Sequence, residues 1–188
     1  MNNFREQLKE SNNQEDFWDA VYRQAFPALV NHMPGPGKTE SQDKGIDRIL
    51  LLSSGQILLI EEKMRFGVYP DILLEFTAND RTNAPGWMEK ELIVDYLAYA
   101  FLPTRTCHLF DWPSLQRAWH RHKAQWKKEY GIRTAENPTY NTLGVPVPVR
   151  EIERAVWAGQ TITLKQKEES LRARAIHDTI DMFDGVLV

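Results

Sequence analysis

Three charged side chains, Asp47, Glu61 and Lys63, have the types and the spacing that could support hydrolysis around a divalent cation. They lie within the stretch 45–65, in which two short apolar runs flank Ser53-Ser54-Gly55. Carboxylate oxygens are ligands that Mg²⁺ accepts while it keeps several of its waters. An ammonium group beside such an ion could orient an attacking water or stabilise charge on a phosphate.

The two apolar runs predict an antiparallel hairpin, and its turn decides which side chains share a face. A three-residue hairpin loop is commonly a type I turn followed by a residue in the left-handed region, a position that suits Gly55. Leu52 then pairs with Gln56. A two-residue loop of Ser54 and Gly55 is the alternative, but Ser-Gly is not the favoured pair for a primed turn, so we prefer the longer loop.

With the longer loop, Asp47 lies directly opposite Glu61, and Lys63 shares their face because side chains alternate along a strand. The shorter loop would place Asp47 opposite Glu62 instead. Opposed carboxylates repel each other, and a divalent cation would remove that cost. The other interpretation is that Glu61 and Lys63 form a solvated rim at the end of a strand.

The order of these residues, Asp47 and then Glu61-Glu62-Lys63 at the end of the next strand, resembles the PD-(D/E)XK nuclease superfamily, also called restriction-endonuclease-like. The resemblance covers roughly residues 14–112, with Ile46 where the family has a proline. It implies that Asp47 and Glu61 bind Mg²⁺ or Mn²⁺ and that the backbone carbonyl of Glu62 is a further ligand. It also implies that Lys63 assists hydrolysis.

This resemblance predicts a metal-dependent nuclease that hydrolyses nucleic acid, with DNA as the expected partner. A homodimer is expected by analogy alone, since many nucleases of this fold dimerise. The first alternative is a non-catalytic module on the same fold that binds nucleic acid or protein. The second is an unrelated α/β protein in which the three charged residues coincide by chance.

Length and composition predict a globular protein of one domain. The chain has 188 residues, of which 42% are hydrophobic and 26% charged, with a net charge of −3. We expect a nuclease-like core at about 14–130 and a helical extension at about 131–188. The single Cys107 suits a reducing interior, and we see neither a signal-peptide core nor an apolar run of about 20 residues. These features predict a cytoplasmic protein without a membrane partner.

Apolar residues at helical spacing from Phe17 to Leu29 predict a first helix, capped by Asn12 or Asn13. An acidic residue of the first helix often joins the metal site in the resembled family, and this role falls to Glu15 or Asp19. The alternative is that these acids favour the positive end of the helix dipole.

The segment Asp71–Thr77 predicts a third strand, on which Asp71 and Glu75 share a face. One of these two carboxylates could support the metal site or the ammonium of Lys63. Alternatively, both are outward-facing residues of an edge strand.

Residues 88–101 read as a helix, followed by a strand at Thr106–Trp112. Asp95 and Tyr99 are similar to the Gln-x-x-x-Tyr element of one branch of the resembled nucleases, although simple packing also explains Tyr99. Strand, helix and strand would form a right-handed crossover. The predicted fold is therefore α/β, with a central mixed sheet flanked by helices.

Several basic or aromatic residues are candidates for nucleic-acid contact. Arg81 could contact phosphate, and Trp87 could stack on a base or anchor the following helix. A helix from Pro113 to about Tyr130 is the most basic stretch, and a solvated helix face is its alternative interpretation. The phosphate-contact candidates on that helix are Arg117, Arg121 and Lys123.

The remaining sequence predicts shorter elements. Residues 137–149 are extended and rich in proline, which suits a sheet edge or a surface crossing. A short helix is expected at Arg150–Ala158 and a small strand at Thr161–Leu164. A charged helix is expected at Lys165–Phe183.

Overall fold

The computed structural model describes residues 2–36, 45–156 and 159–164, with side chains described from residue 14 onward. Within these ranges the fold is α/β, as predicted, with two sheets and helices packed against them. The α-helices are α1 (Asn2–Ala25), α2 (Trp112–Tyr130) and α3 (Val149–Ala155). The strands are β1 (Leu29–Pro34), β2 (Arg48–Leu52), β3 (Ile57–Arg65), β4 (Asp71–Asn79), β5 (Ala84–Pro85), β6 (Tyr96–Phe101), β7 (Thr106–Asp111), β8 (Arg133–Glu136), β9 (Asn141–Pro148) and β10 (Gly159–Thr163).

The larger sheet has six strands in the order β1-β2-β3-β6-β7-β10. β3 and β6 are parallel and the other neighbouring pairs are antiparallel, so the predicted mixed central sheet is confirmed. Parallel neighbours cannot be joined by a tight turn, and residues 66–95 make the long connection between them.

The predicted register of the β2–β3 hairpin is confirmed. Leu52 donates its amide to the carbonyl of Gln56 at 2.9 Å, and the ladder continues to the pair Arg48 and Ile60. Gly55 has φ of +84°, which is the left-handed conformation that the three-residue loop requires. The same register brings Asp47, one residue before β2, to the level of Glu61.

The smaller sheet has the strand order β5-β4-β9-β8. The strand predicted at Asp71–Thr77 is therefore present as β4, but it belongs to this second sheet. The prolines of β9 do not place that strand at an edge, because it lies between β4 and β8. The amide of Val149 donates to the carbonyl of Pro70, on the β4 side of the strand. Because amide directions alternate along a strand, the nitrogens of Pro146 and Pro148 face the β8 side. Pairing with β8 ends at Gly144, so these two nitrogens interrupt no ladder.

The helix predicted for residues 88–101 is wrong. A 3₁₀ turn occupies Trp87–Glu89, and Tyr96–Phe101 forms β6 in the middle of the large sheet. Residues 97–101 of this strand are all buried, so both faces are apolar, and such a run lacks the alternation that marks a half-exposed strand. The predicted helical crossover is accordingly replaced by the connection that carries β4 and β5.

Two apolar cores lie on opposite faces of the large sheet. One face packs against α1 through residues such as Phe17, Val21, Leu50 and Ile60. The other face packs against α2 and the second sheet through residues that include Leu97 and Trp119. The layers are therefore helix, sheet, and then second sheet with α2, rather than a sheet with helices alone on both sides.

Helix bounds agree with the sequence for α2 and differ for α1. The α2 helix begins at Trp112, and Asp111 caps it by accepting the Ser114 amide at 2.8 Å. The predicted caps at Asn12 and Asn13 are wrong, because α1 runs without interruption from Asn2.

The C-terminal part of the described chain is not a separate helical extension. β8 and β9 complete the second sheet, and β10 pairs with β7 at the edge of the large sheet. The predicted short helix and small strand are present as α3 and β10, while the predicted helix at 165–183 lies outside the described residues. Of the helices described, none has the length and apolar character needed to cross a membrane.

Candidate active site

Asp47, Glu61 and Lys63 line one cleft between the large sheet and the second-sheet region, with a volume of about 420 Å³. The large sheet supplies these three residues from the start of β2 and from β3. β4 and the segment that follows it supply the opposing wall. The residues lining that wall are Glu75, Ala78, Trp87, Lys90 and Leu92.

Backbone hydrogen bonds hold Asp47 against β3. Its amide donates to the carbonyl of Ile60 at 2.9 Å, and its Oδ2 accepts the amide of Glu62 at 2.8 Å. The Asp47 side chain is therefore fixed by the strand that carries the other two residues. The sequence predicted the pairing of Asp47 with Glu61 because it predicted the position of the turn.

Glu61 is a buried acid, with 6% of its surface exposed. The pKa of Glu61 is raised to about 7, mainly by burial; the ammonium of Lys63 lowers it and the negative charge of the nearby Asp47 raises it. Lys63 donates its ammonium to Glu61 Oε1. Two neighbouring carboxylates and one ammonium leave this end of the cleft with excess negative charge, which either a proton or a cation would offset.

Gly45 shapes the wall beside Glu61. Its φ is +72°, and a Cβ at this position would lie 2.7 Å from Glu61 Oε2 and 2.9 Å from Leu92 Cδ2. The positive φ favours glycine here, and any larger residue would also displace the ends of the Glu61 and Leu92 side chains. Sequence reasoning did not select this residue, although its place just before a strand was a signal for a special backbone conformation.

Glu75 reaches the cleft from β4, as one of the two predicted arrangements required. Burial raises its pKa, while the positive charges of Lys63, Arg65 and Lys90 act in the opposite direction. Lys90 lines the same cleft and was missed, because residues around it read as a helix whose polar face would be solvated.

The side chain of Glu62 points to the opposite face of β3, toward α1. Arg48, which is 3% exposed, donates to Glu62 Oε1 at 2.8 Å and to Glu15 Oε2 at 2.8 Å. Tyr22 donates its hydroxyl to Glu62 at 2.7 Å. The hydrogen bond from Arg48 lowers the pKa of Glu15, so these acids form a paired network away from the cleft.

The structure therefore does not bring Glu15 to the other candidate residues. Asp19 is also elsewhere, since it accepts from Arg23 at 2.9 Å and lies 3.0 Å from the ring of His32. The acids of α1 anchor the helix to its neighbours and to the hairpin.

Three other predicted accessory residues have structural partners. Asp71 forms an ion pair with Arg133 at 3.2 Å. Asp95 accepts the amide of Leu59 at 2.7 Å, which fixes the start of β6 against β3. Tyr99 is buried within β6, so the helical Asp95-to-Tyr99 element is wrong and its alternative, packing of Tyr99, is confirmed.

The predicted nucleic-acid contacts lie in different environments. Trp87 is 5% exposed and packs 6.2 Å from the ring of Trp112, so it is an anchor and does not present a free face for stacking. Arg81 is exposed in the turn after β4. Lys123 pairs with Glu89 at 3.2 Å, beside the cleft wall. Arg117 and Arg121 are exposed on α2.

In the portions of the chain that the structure describes, no three His, Cys, Asp or Glu side chains are grouped so as to hold a metal. The cleft offers a two-carboxylate set, Asp47 and Glu61, instead. This donor set fits Mg²⁺, which is commonly held by one or two carboxylates and completes its shell with water and phosphate oxygens. No protein-family model and no curated protein matches the sequence.

Proposed function

We propose that this protein is a metal-dependent nuclease that hydrolyses phosphodiester bonds in nucleic acid, with DNA as its substrate. The observation that supports it is the convergence of Asp47, Glu61 and Lys63 in one cleft, from two strands whose register forces them together. Their order in the chain is the one that resembles PD-(D/E)XK nucleases.

Asp47 and Glu61 would hold Mg²⁺ or Mn²⁺, and the carbonyl of Glu62 would be a third donor from the same segment. When bound, the ion would neutralise part of the negative charge on the phosphate. The backbone bonds to Asp47 keep its carboxylate in position without a metal. Burial keeps Glu61 poised to exchange a proton near pH 7, so that cation binding and deprotonation are coupled.

Lys63 and Lys90 give the cleft its positive groups. Lys63 lies against Glu61 and would orient the hydrolytic water or donate to a non-bridging phosphate oxygen. Lys90, on the opposing wall, would attract the phosphate backbone into the cleft. We also propose, by analogy alone, a homodimer, and a cytoplasmic location in keeping with the one buried cysteine, Cys107.

Cleavage assays with duplex, single-stranded and branched DNA, and with RNA, test this proposal. We expect Mg²⁺- or Mn²⁺-dependent cleavage by the full chain, reduced at least about 100-fold in Glu61→Gln and Lys63→Ala. Glu136→Gln and Lys128→Ala are matched controls, because both residues are exposed and neither lines the cleft. Equal activity of the cleft variants and these controls would refute the assignment.

The alternative is a nucleic-acid-binding module without turnover. The absence of a three-ligand metal group in the described part of the chain favours this second function. It predicts binding of nucleic acid in the absence of metal, no cleavage of any substrate in the panel, and no change in thermal stability on adding Mg²⁺ or Mn²⁺.

A further inference from the structure

A second pocket, of about 310 Å³, lies between α2 and α3 and is lined by three arginines. Arg117 and Arg121 come from one stripe of α2, on which Ser114 and Ala118 also lie, and Arg154 comes from α3. Positions three and four residues apart share a helix face, which is why the two α2 arginines point the same way. The lining residues described include no acid.

The three guanidinium groups retain unused hydrogen-bonding capacity. Arg117 donates to the hydroxyl of Ser114 at 2.8 Å, and Arg154 donates to Glu151 at 2.9 Å. Arg121 has neither a hydrogen bond nor an ion pair with another described residue. Each guanidinium has five N–H donors, so most of them remain free to face a ligand.

Arg117 and Arg121 bring positive charge to this small pocket without an acidic partner among the described residues, whereas Arg154 is paired with Glu151. Planar guanidinium groups can form paired hydrogen bonds to the oxygens of a phosphate. The hydroxyl group of Ser114, which also lines the pocket, adds another donor. The walls contributed by Ala118 and Ala155 leave room for a compact anion between the helices.

We propose that Arg117, Arg121 and Arg154 form a binding site for a phosphate group, distinct from the hydrolytic cleft. The site takes a backbone phosphate of nucleic acid, and in this respect it rests on the proposed function. Helix α2 connects the two sites: Lys123 and Trp119 reach Glu89 beside the cleft, while the arginine stripe turns toward α3. A bound strand would therefore be held at a second point, away from the reacting phosphate.

Fluorescence anisotropy with a short labelled DNA duplex, in the absence of divalent metal, tests the site on the full chain. We expect Arg121→Gln and Arg154→Gln each to weaken binding about tenfold, as for one charge-assisted hydrogen bond lost. Each should also reduce the slope of log affinity against log salt by about 0.9. Arg150→Gln is the matched control, since Arg150 is an exposed α3 arginine that pairs with Glu151 and does not line the pocket.

Competition with inorganic phosphate and adenosine monophosphate separates the two sources of a phosphate group. A phosphate site is supported if a molar excess of either anion displaces the duplex from the wild type and this displacement is lost in Arg121→Gln. A different result is that the free anions bind while the affinity for DNA is the same in all variants. That result assigns the site to a small phosphate ligand and overturns the proposed nucleic-acid source.

Equal behaviour of Arg121→Gln, Arg154→Gln and Arg150→Gln in every assay overturns the site itself. Thermal denaturation of each variant shows whether the fold is retained. DNA cleavage is measured separately, so that a protein without nuclease activity but with arginine-dependent DNA binding would contradict only the proposed function.

Discussion

Glu61 and Glu62 are neighbours in the chain, yet their carboxylates lie in opposite electrostatic settings on the two faces of β3. Glu62 is paired with Arg48 and accepts a further hydrogen bond from Tyr22. Glu61 faces a second acid, Asp47, and its pKa is raised to about 7. One face is a balanced network that stabilises the fold, and the other holds charge that the protein alone does not neutralise.

The largest expected effect concerns the balanced face. Arg48→Ala should lower the free energy of unfolding by about 4 kcal/mol, because it leaves the carboxylates of Glu15 and Glu62 without their cation, one of them largely buried. Urea unfolding measures the loss. Arg23→Ala is the control, since it removes an exposed pair with Asp19 and should cost below about 1 kcal/mol. Similar losses in the two variants would mean that the network is not structural.

The next effect concerns Glu61 and its pH dependence. The folded-state pKa is about 7 and the ordinary value is 4.5, so the folded protein holds this proton more tightly than the unfolded chain does. Glu61 therefore stabilises the fold below pH 4.5, and this contribution is lost as pH rises toward 7. The loss, on the order of 3 kcal/mol, should be absent from Glu61→Gln.

Urea unfolding of both proteins below pH 4.5 and above pH 7 checks this difference. Above pH 7, Mg²⁺ or Mn²⁺ should restore stability to the wild type, by about 2.7 kcal/mol at 100 times its dissociation constant, and not to Glu61→Gln. A parallel pH profile for the two proteins would contradict the raised pKa. A metal effect of equal size in both would contradict the site.

The smallest effect distinguishes the two glycines with left-handed backbone in the hairpin region. Gly45→Ala and Gly55→Ala should each cost about 1 kcal/mol from backbone strain. The new Cβ at Gly45 also crowds Glu61, whereas at Gly55 it meets open space. Only Gly45→Ala should therefore weaken the stabilisation by metal, as measured by thermal denaturation with and without Mg²⁺. Equal metal response in both variants would show that Gly45 does not shape the site.

The sequence sufficed for the hairpin because its information is local. Gly55 and the lengths of the two apolar runs determine the register, and the register brings Asp47 to Glu61. The same holds for α2, whose start is marked by Asp111 and Pro113.

The sequence was insufficient where partners come from distant segments. Leu92, Leu97 and Ala100 fit a helical stripe, but a strand that is buried on both faces is also apolar throughout, and only its neighbours β3 and β7 decide between the two. Trp87 was open to either interpretation until Trp112 was seen beside it. The second sheet joins β4 to β9, about 70 residues later, which no local pattern indicates.

The long connection between β3 and β6 has a consequence for how such a cleft is adapted. Residues 66–95 enter and leave the large sheet through adjacent strands, and they supply the whole wall opposite the hairpin. The side chains of Asp47, Glu61 and Lys63 and the wall that faces them are thus encoded in separate, consecutive lengths of chain. Under the proposed function, substitutions at the cleft-lining positions of that interval would change what meets the ligand while the acidic pair and its lysine keep their places.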